Sequence, residues 1–257
     1  MAVRGVLLDL EGVLYQADAP IAGAREALDR LGADGIALRY LTNTTTKPRG
    51  DVVGRMRAMG FALDLDDVFS PAMAAVAVLK REGLKRVHLA APEGLAEDFA
   101  GFDLVDDRVE AVVMGDLYTG YSWQRLNRLF QMALDGAAIL ALHKNRYCRR
   151  AEGLSLDLGP FVAALEYAAG ATARVLGKPD RAFFDMALAS IGLAAGEVVM
   201  VGDDIEADIG GAQSAGLSAV QVGTGKYSAR DRDHRSITPD ARIATIADLP
   251  DLLASMG

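Results

Sequence analysis

Cysteine is nearly missing from this sequence. Cys148 is the only one in 257 residues, so no internal disulfide can form, and a reducing, cytoplasmic location is expected. No stretch approaches the roughly 18 uninterrupted apolar residues of a membrane helix. The apolar run ahead of Asp9 is too short and too soon charged to serve as a signal peptide, so no membrane partner is expected. Positive charge is in deficit: 27 Lys and Arg stand against 35 Asp and Glu, a net charge of -8. That balance argues against a nucleic-acid partner, because phosphate backbones attract basic surfaces. Histidine is scarce, and His143 and His234 lack the partner spacing of a metal site, so neither is assigned a role. Cys148 has no helix start or paired histidine to make it a nucleophile. Internal repeats and low-complexity linkers are absent as well. What remains is an ordinary globular composition, 51% hydrophobic and 24% charged, long enough for one large domain or two modest ones.

Strand and helix patterns alternate from start to end. Residues 3–8 read as a strand, 23–32 as an amphipathic helix stopped by Gly32, and 36–41 as a second strand. A helix over 50–60, with Gly60 as its stop, follows. Near the carboxyl end come a helix at 180–192, a strand at 198–201, a helix near 206–215 and a strand at 218–222. Such alternation predicts an α/β fold: a doubly wound, Rossmann-like parallel sheet with helices on both faces. The middle of the chain carries its own set. Strands are expected at 86–91, 110–115 and 137–142, with one helix through Trp123, Leu126, Phe130 and Leu134 and another at 159–170. The expected division is therefore a core over 1–71 and 175–257 with a smaller α/β domain, 72–174, inserted into it. Trp123 and Phe130 are expected in the core of that inserted domain or at an interface between subunits. The basic run 143–150, HKNRYCRR, is expected to be a solvated loop, contact with an anionic substrate being the alternative.

In doubly wound sheets, ligands sit beyond the carboxyl ends of the strands. The first strand ends on Asp9, with Glu11 two residues on. Thr42, Asn43 and Thr44 follow the second, Lys178 lies ahead of the helix at 180, and Asp203, Asp204 and Asp208 follow the strand at 198–201. Each set alone has a plain structural use as a turn, a cap or a solvated charge. Together at one sheet edge they make a site for a divalent cation and an anionic group, since hard cations such as Mg2+ take oxygen ligands and bridge to phosphate.

In this order and spacing the four sets resemble the four motifs of the haloacid dehalogenase (HAD) superfamily of phosphohydrolases. Asp9 and Glu11 match the first motif, usually Asp-x-Asp-Gly; Thr42 and Asn43 match the second, Lys178 in GKP the third, and GDDIEAD the acidic fourth. An insertion between the second and third motifs resembles the C2-capped subfamily IIA, typified by nitrophenylphosphatases and nucleotide-sugar phosphatases. The resemblance implies a phosphatase acting on a small phosphorylated compound, with Asp9 as the nucleophile that becomes an aspartyl-phosphate. It implies Mg2+ on the Asp9 side chain, the Glu11 backbone carbonyl and Asp203, with Asp204 and Asp208 in support. Thr42, Asn43 and Thr44 then bind the phosphoryl oxygens, Lys178 offsets charge, and the cap closes over the site and chooses the substrate. A homodimer is the expectation carried over from the subfamily.

Glu11 departs from the pattern, for most superfamily phosphatases place there an aspartate that protonates the leaving oxygen. A longer, misplaced acid would favour leaving groups that need little help: the nitrogen of a P–N bond, a phosphate from pyrophosphate, or an activated aryl oxygen. Three other classes stand beside this one. A HAD-fold phosphate-binding regulatory protein would have lost turnover along with the usual acid. A response-regulator receiver domain shares the acids, hydroxyl and lysine but is about half this length. A dehalogenase or phosphonatase would keep Asp9 under a different cap, the dehalogenase with no metal cluster.

Overall fold

A computed structural model describes residues 3–150 and 153–256. The chain opens with strand β1 (Gly5–Asp9), a small hairpin of β2 (Tyr15–Gln16) and β3 (Ala19–Pro20), helix α1 (Ala24–Ala33), β4 (Ala37–Leu41), α2 (Arg49–Ala58) and β5 (Val68–Phe69). Then come α3 (Pro71–Glu82), β6 (Arg86–Ala90), β7 (Asp103–Leu104), β8 (Ala111–Met114), α4 (Trp123–Leu134), β9 (Ala138–Ala141), β10 (Tyr147–Arg150), β11 (Gly153–Leu156), α5 (Leu158–Ala169) and β12 (Arg174–Val175). The last stretch holds α6 (Arg181–Ile191), β13 (Val198–Gly202), α7 (Gly211–Ser214), β14 (Ser218–Val222), β15 (Ala241–Ile243) and α8 (Leu249–Met256).

Contacts divide the chain into two compact units. One comprises Met1–Thr42, Val52–Phe69 and Lys178–Gly257; the other comprises Asn43–Asp51 and Ser70–Gly177. In the first, a six-stranded sheet runs β15-β14-β13-β1-β4-β5, every pair parallel. Both faces are covered. Val6 and Leu8 of β1 and Val199 and Val201 of β13 join one core cluster with Leu28, Leu31, Met56 and Leu249. Leu7, Met200, Phe183 and Phe184 are fully buried too, and Phe183 packs on Phe69 at a ring-centroid distance of 5.2 Å. A parallel strand buried on both faces reads as an unbroken apolar run rather than an alternating one, as VLL at residues 6–8 does. The strand order reverses at β1: the chain builds outward through β4 and β5, then returns to β13 on the other side. That reversal is the switch point of an open α/β sheet, where ligand crevices form.

The second unit has a five-stranded sheet, β12-β9-β8-β6-β7, again parallel, and an antiparallel hairpin of β10 and β11. Its core gathers Val112, Met114, Leu129, Ile139, Leu158 and Val162.

Two expectations are corrected. Gly32 does not stop the first helix; α1 runs to Ala33, and the backbone turns over at Gly35, whose φ is +75°. Trp123 is not core: it stands 72% exposed at the start of α4, while Leu126 and Phe130, one and two turns on, pack against the core. Of the 143–150 run, His143 is buried, Lys144 to Arg146 are exposed and Tyr147 onward forms β10. Among the described residues no helix is long and apolar enough to cross a membrane.

Candidate active site

Asp9 is the last residue of β1 and pairs in register with Leu41 of β4. Neighbouring β13 ends at Gly202, so Asp203 emerges next to it, on the other side of the switch point. The chain then makes a wide π-helical turn, Ile205–Gly210, in which Ile209 N–H reaches back to the carbonyl of Asp204. Turns of this width recur at functional positions, and this one carries Asp208. Asp9, Asp203 and Asp208 are all buried, with carboxylate oxygens within 4.8 Å of one another. Lys178, 3% exposed, donates through Nζ to Asp9 Oδ1 and, at 2.6 Å, to Asp208 Oδ1.

Ionised, these three carboxylates and one ammonium sum to two negative charges in a buried place, where an uncompensated charge costs several kcal/mol or more. The proton affinities register that cost. Burial, aided by the charges of Asp208 and Asp203, pushes the Asp9 carboxyl up to about 7, although Lys178 pulls the other way. Burial likewise raises Asp203 to about 6. For Lys178, burial alone would release the proton, but the carboxylates of Asp208 and Asp9 outweigh it and hold the ammonium charged above the ordinary lysine range. A divalent cation would supply the two missing charges, and three carboxylates are hard oxygen donors of the kind Mg2+ takes. Local packing supports the same fit. Gly12 (φ +92°) and Gly225 (φ +66°) both press against Asp203, and a Cβ at either would collide with its carboxylate.

Three further groups hold the cluster. The backbone amide of Lys226 donates to Asp203 Oδ2 at 2.6 Å, and its Nζ lies 3.2 Å from Asp204 Oδ2. Asp204 turns away from the buried trio. Its side chain caps the π turn through the amides of Glu206 and Ala207, and these bonds with the Lys226 charge outweigh burial and hold it below the usual carboxylate range. Thr224 Oγ1 donates to the carbonyl of Gly12 at 2.5 Å, joining the turn after β14 to the turn after β1.

The structure thus brings together Asp9, Lys178, Asp203 and Asp208, with Asp204 at their edge. Glu11 follows in the turn after β1 with an exposed side chain, its backbone bridged to Tyr15. Thr42 is buried at the end of β4, its amide donating to the carbonyl of Phe69 at 3.2 Å. Asn43 and Thr44 begin the second unit. Lys226, Thr224 and Gly225 had been missed. The signal was there: they follow the strand at 218–222 as the acids follow β1 and β13, and the same inspection of strand ends would have found them.

A parallel, doubly wound sheet carrying a lysine-bridged carboxylate cluster at its switch point defines a Rossmann-like α/β protein whose clustered acids could hold a hard cation. Comparison with known proteins narrows the class. A model of haloacid dehalogenase-like hydrolases matches residues 6–105, and a HAD-hydrolase-like model matches residues 175–249. The chain is 42% identical to phospholysine phosphohistidine inorganic pyrophosphate phosphatase of Bos taurus, over 98% of this chain and 94% of that one. Among solved structures it is similar to 4-nitrophenylphosphatase from Thermotoga maritima (TM-score 0.87, 25% identity, 97% of each chain). It is also similar to glycerol phosphate phosphatase from Mycobacterium tuberculosis in complex with magnesium (TM-score 0.82, 29% identity, 98% of this chain and 78% of that one). The chain belongs to the haloacid dehalogenase-like hydrolases, and within them it is a phosphohydrolase.

Proposed function

We propose that this chain is a magnesium-dependent phosphatase that carries the phosphoryl group on Asp9 before passing it to water. The observation that supports it most is the buried trio Asp9, Asp203 and Asp208, two charges short of neutrality around Lys178. Asp9, the Glu11 backbone carbonyl and Asp203 would hold Mg2+, with Asp208 and Asp204 in support. Bound there, the ion supplies positive charge against the repulsion between the nucleophile and an anionic phosphoryl group.

Asp9 attacks phosphorus through a carboxylate oxygen, and the bond to the leaving group breaks with its electron pair on the leaving atom. Water then attacks the same phosphorus, and phosphate departs from the regenerated carboxylate. Lys178 favours the ionised form of Asp9 and aligns it, and alignment with charge stabilisation supplies most of the rate in phosphoryl transfer. By the order of the motifs, Thr42, Asn43 and Thr44 bind the phosphoryl oxygens.

Glu11 narrows the substrate. Its exposed side chain is poorly placed to protonate an alkoxide, which supports a P–N compound, pyrophosphate or an aryl phosphate as the small phosphorylated substrate. We read the second unit as the inserted cap. Exposed Trp123, Leu134 and Tyr167 on α4 and α5 support a homodimer. The test is phosphate release from p-nitrophenyl phosphate, imidodiphosphate, pyrophosphate and phospholysine, with and without Mg2+. Turnover is expected on at least one and only with the metal; metal-independent turnover, or none from a folded protein that binds Mg2+, contradicts the proposal.

A further inference from the structure

One buried titratable side chain has no part in the chemistry above. His143, two residues past the end of β9, is 4% exposed. Its Nδ1 accepts from the Asn145 amide at 3.4 Å, which places the ring proton on Nε2. That nitrogen faces Asp157 Oδ1 at 3.7 Å, and Asp157 is itself the N-cap of α5, accepting from Leu158 N–H at 2.8 Å. Burial holds the imidazole below its ordinary range, in its neutral form.

Two hydrogen bonds tie the same stretch to α5 and its N-cap: Gly159 N–H donates to the carbonyl of Asn145 at 2.9 Å, and Asp157 N–H to that of Arg146 at 3.3 Å. The fit is close enough to require glycine, since a Cβ at residue 159 would lie 2.5 Å from Asn145 O and 2.6 Å from Lys144 O. The opposite side of the turn presses on Gly177, the residue before Lys178. There a Cβ would collide with the carbonyl of Leu142, lie 2.9 Å from Asn43 Oδ1 and come within 3.3 Å of the His143 Cβ. Gly177 therefore rests against a turn that is bonded to α5 and holds His143 at its centre, and Asn43 lies against Gly177 in turn.

We propose that His143 is a positioning residue for phosphoryl transfer: facing Asp157, it holds the 142–145 turn to α5, and the turn, through Gly177, sets Asn43 and the approach of the chain to Lys178. The inference rests on the roles given to Asn43 and Lys178 above. It requires that losing this contact weakens substrate binding and turnover while leaving the carboxylate cluster's hold on Mg2+ intact, a split that general destabilisation does not produce.

The experiment measures kcat and KM for p-nitrophenyl phosphate, half-activation by Mg2+, and the melting temperature for His143→Leu, His143→Gln and Asp157→Ser. Serine keeps an N-cap oxygen for α5 but withdraws from the imidazole, and glutamine restores a donor toward Asp157. For His143→Leu, kcat should fall tenfold or more and KM rise severalfold, with half-activation by Mg2+ within twofold of the parent. Gln should recover most of that loss, and Asp157→Ser should lose several-fold in kcat with little change in melting temperature. A folded His143→Leu with kcat and KM within twofold of the parent overturns the inference, as does a Gln variant no better than Leu. Should His143→Leu not fold, Asp157→Ser decides alone, and parental kcat and KM there overturn it. Asn43→Ala and Lys178→Met run beside these. Unchanged rates in that pair overturn the site assignment and the inference with it, whereas loss in that pair beside parental rates in the His143 variants overturns the inference alone.

Discussion

Each charged residue of the cluster has a different job because each has different neighbours. Asp9 and Asp208 share one ammonium, Asp203 takes a backbone amide, and Asp204 pairs with an exposed lysine. Glu11 is the exception, a carboxylate in the motif with nothing in the cluster holding its side chain. If it contributes weakly to leaving-group protonation, Glu11→Ser should cost alkyl phosphate hydrolysis several-fold more than hydrolysis of p-nitrophenyl phosphate, whose leaving oxygen needs no proton. Parallel kcat/KM measurements on the two substrate types test this, and equal loss on both would sink it. Asp9, Glu11, Lys178 and the acids of GDDIEAD were legible because they stand directly after strand-like runs or before a helix. Lys226 stands at an equivalent strand end, but part of its hold on the cluster is a backbone amide, which side-chain chemistry does not mark. His143 was hidden for a related reason: a single histidine says nothing of the aspartate that folding brings to it from fourteen residues on.

At the scale of elements, the strands of the main sheet are positioned by apolar packing on both faces, and an aromatic group at β5 and α6 belongs to that packing. Phe183 of α6 is fully buried, tilted against Phe69 and edge-on to Phe184 at 5.8 Å. Phe183→Ala should destabilise the fold by about 3–5 kcal/mol, read as a lower urea midpoint with an unchanged slope, and a cost under about 1 kcal/mol would show that the group repacks freely. The long strands were readable from their apolar runs, and α2, α5 and α6 from spacing and caps. Helix α3 was not read, although Ser70 caps it, Pro71 opens it and Gly83 closes it. Seven of its residues are buried, and an alanine-rich helix covered on several sides shows no amphipathic stripe to recognise. Strand β5, two residues long, is below what alternation can reveal. Trp123 fell on the expected helix, but helical spacing does not tell the first, exposed turn from the buried ones behind it.

For the whole molecule, the cluster couples stability to pH and metal. Unfolded carboxyls titrate near 4, whereas in the fold Asp9 is raised to about 7 and Asp203 to about 6. Between roughly pH 4 and 7 the folded chain therefore holds more protons than the unfolded one, and these two groups make stability fall as pH rises through that window. Mg2+ bound at the cluster as proposed would compete with those protons, so the stabilisation it confers should grow with pH. The melting temperature should rise on adding Mg2+ by several degrees at about pH 8 and by distinctly less at about pH 5.5; an equal rise at both would mean that the ion binds elsewhere.

The most direct test of the central claim is to quench the reaction during turnover and locate the phosphoryl group by mass spectrometry. The expected result is a phosphorylated peptide mapped to Asp9, stable in acid, labile to base and hydroxylamine, and missing from Asp9→Asn, which should also lose turnover by a thousandfold or more. A covalent phosphate on any other residue, or substantial Mg2+-dependent turnover in Asp9→Asn, would contradict it.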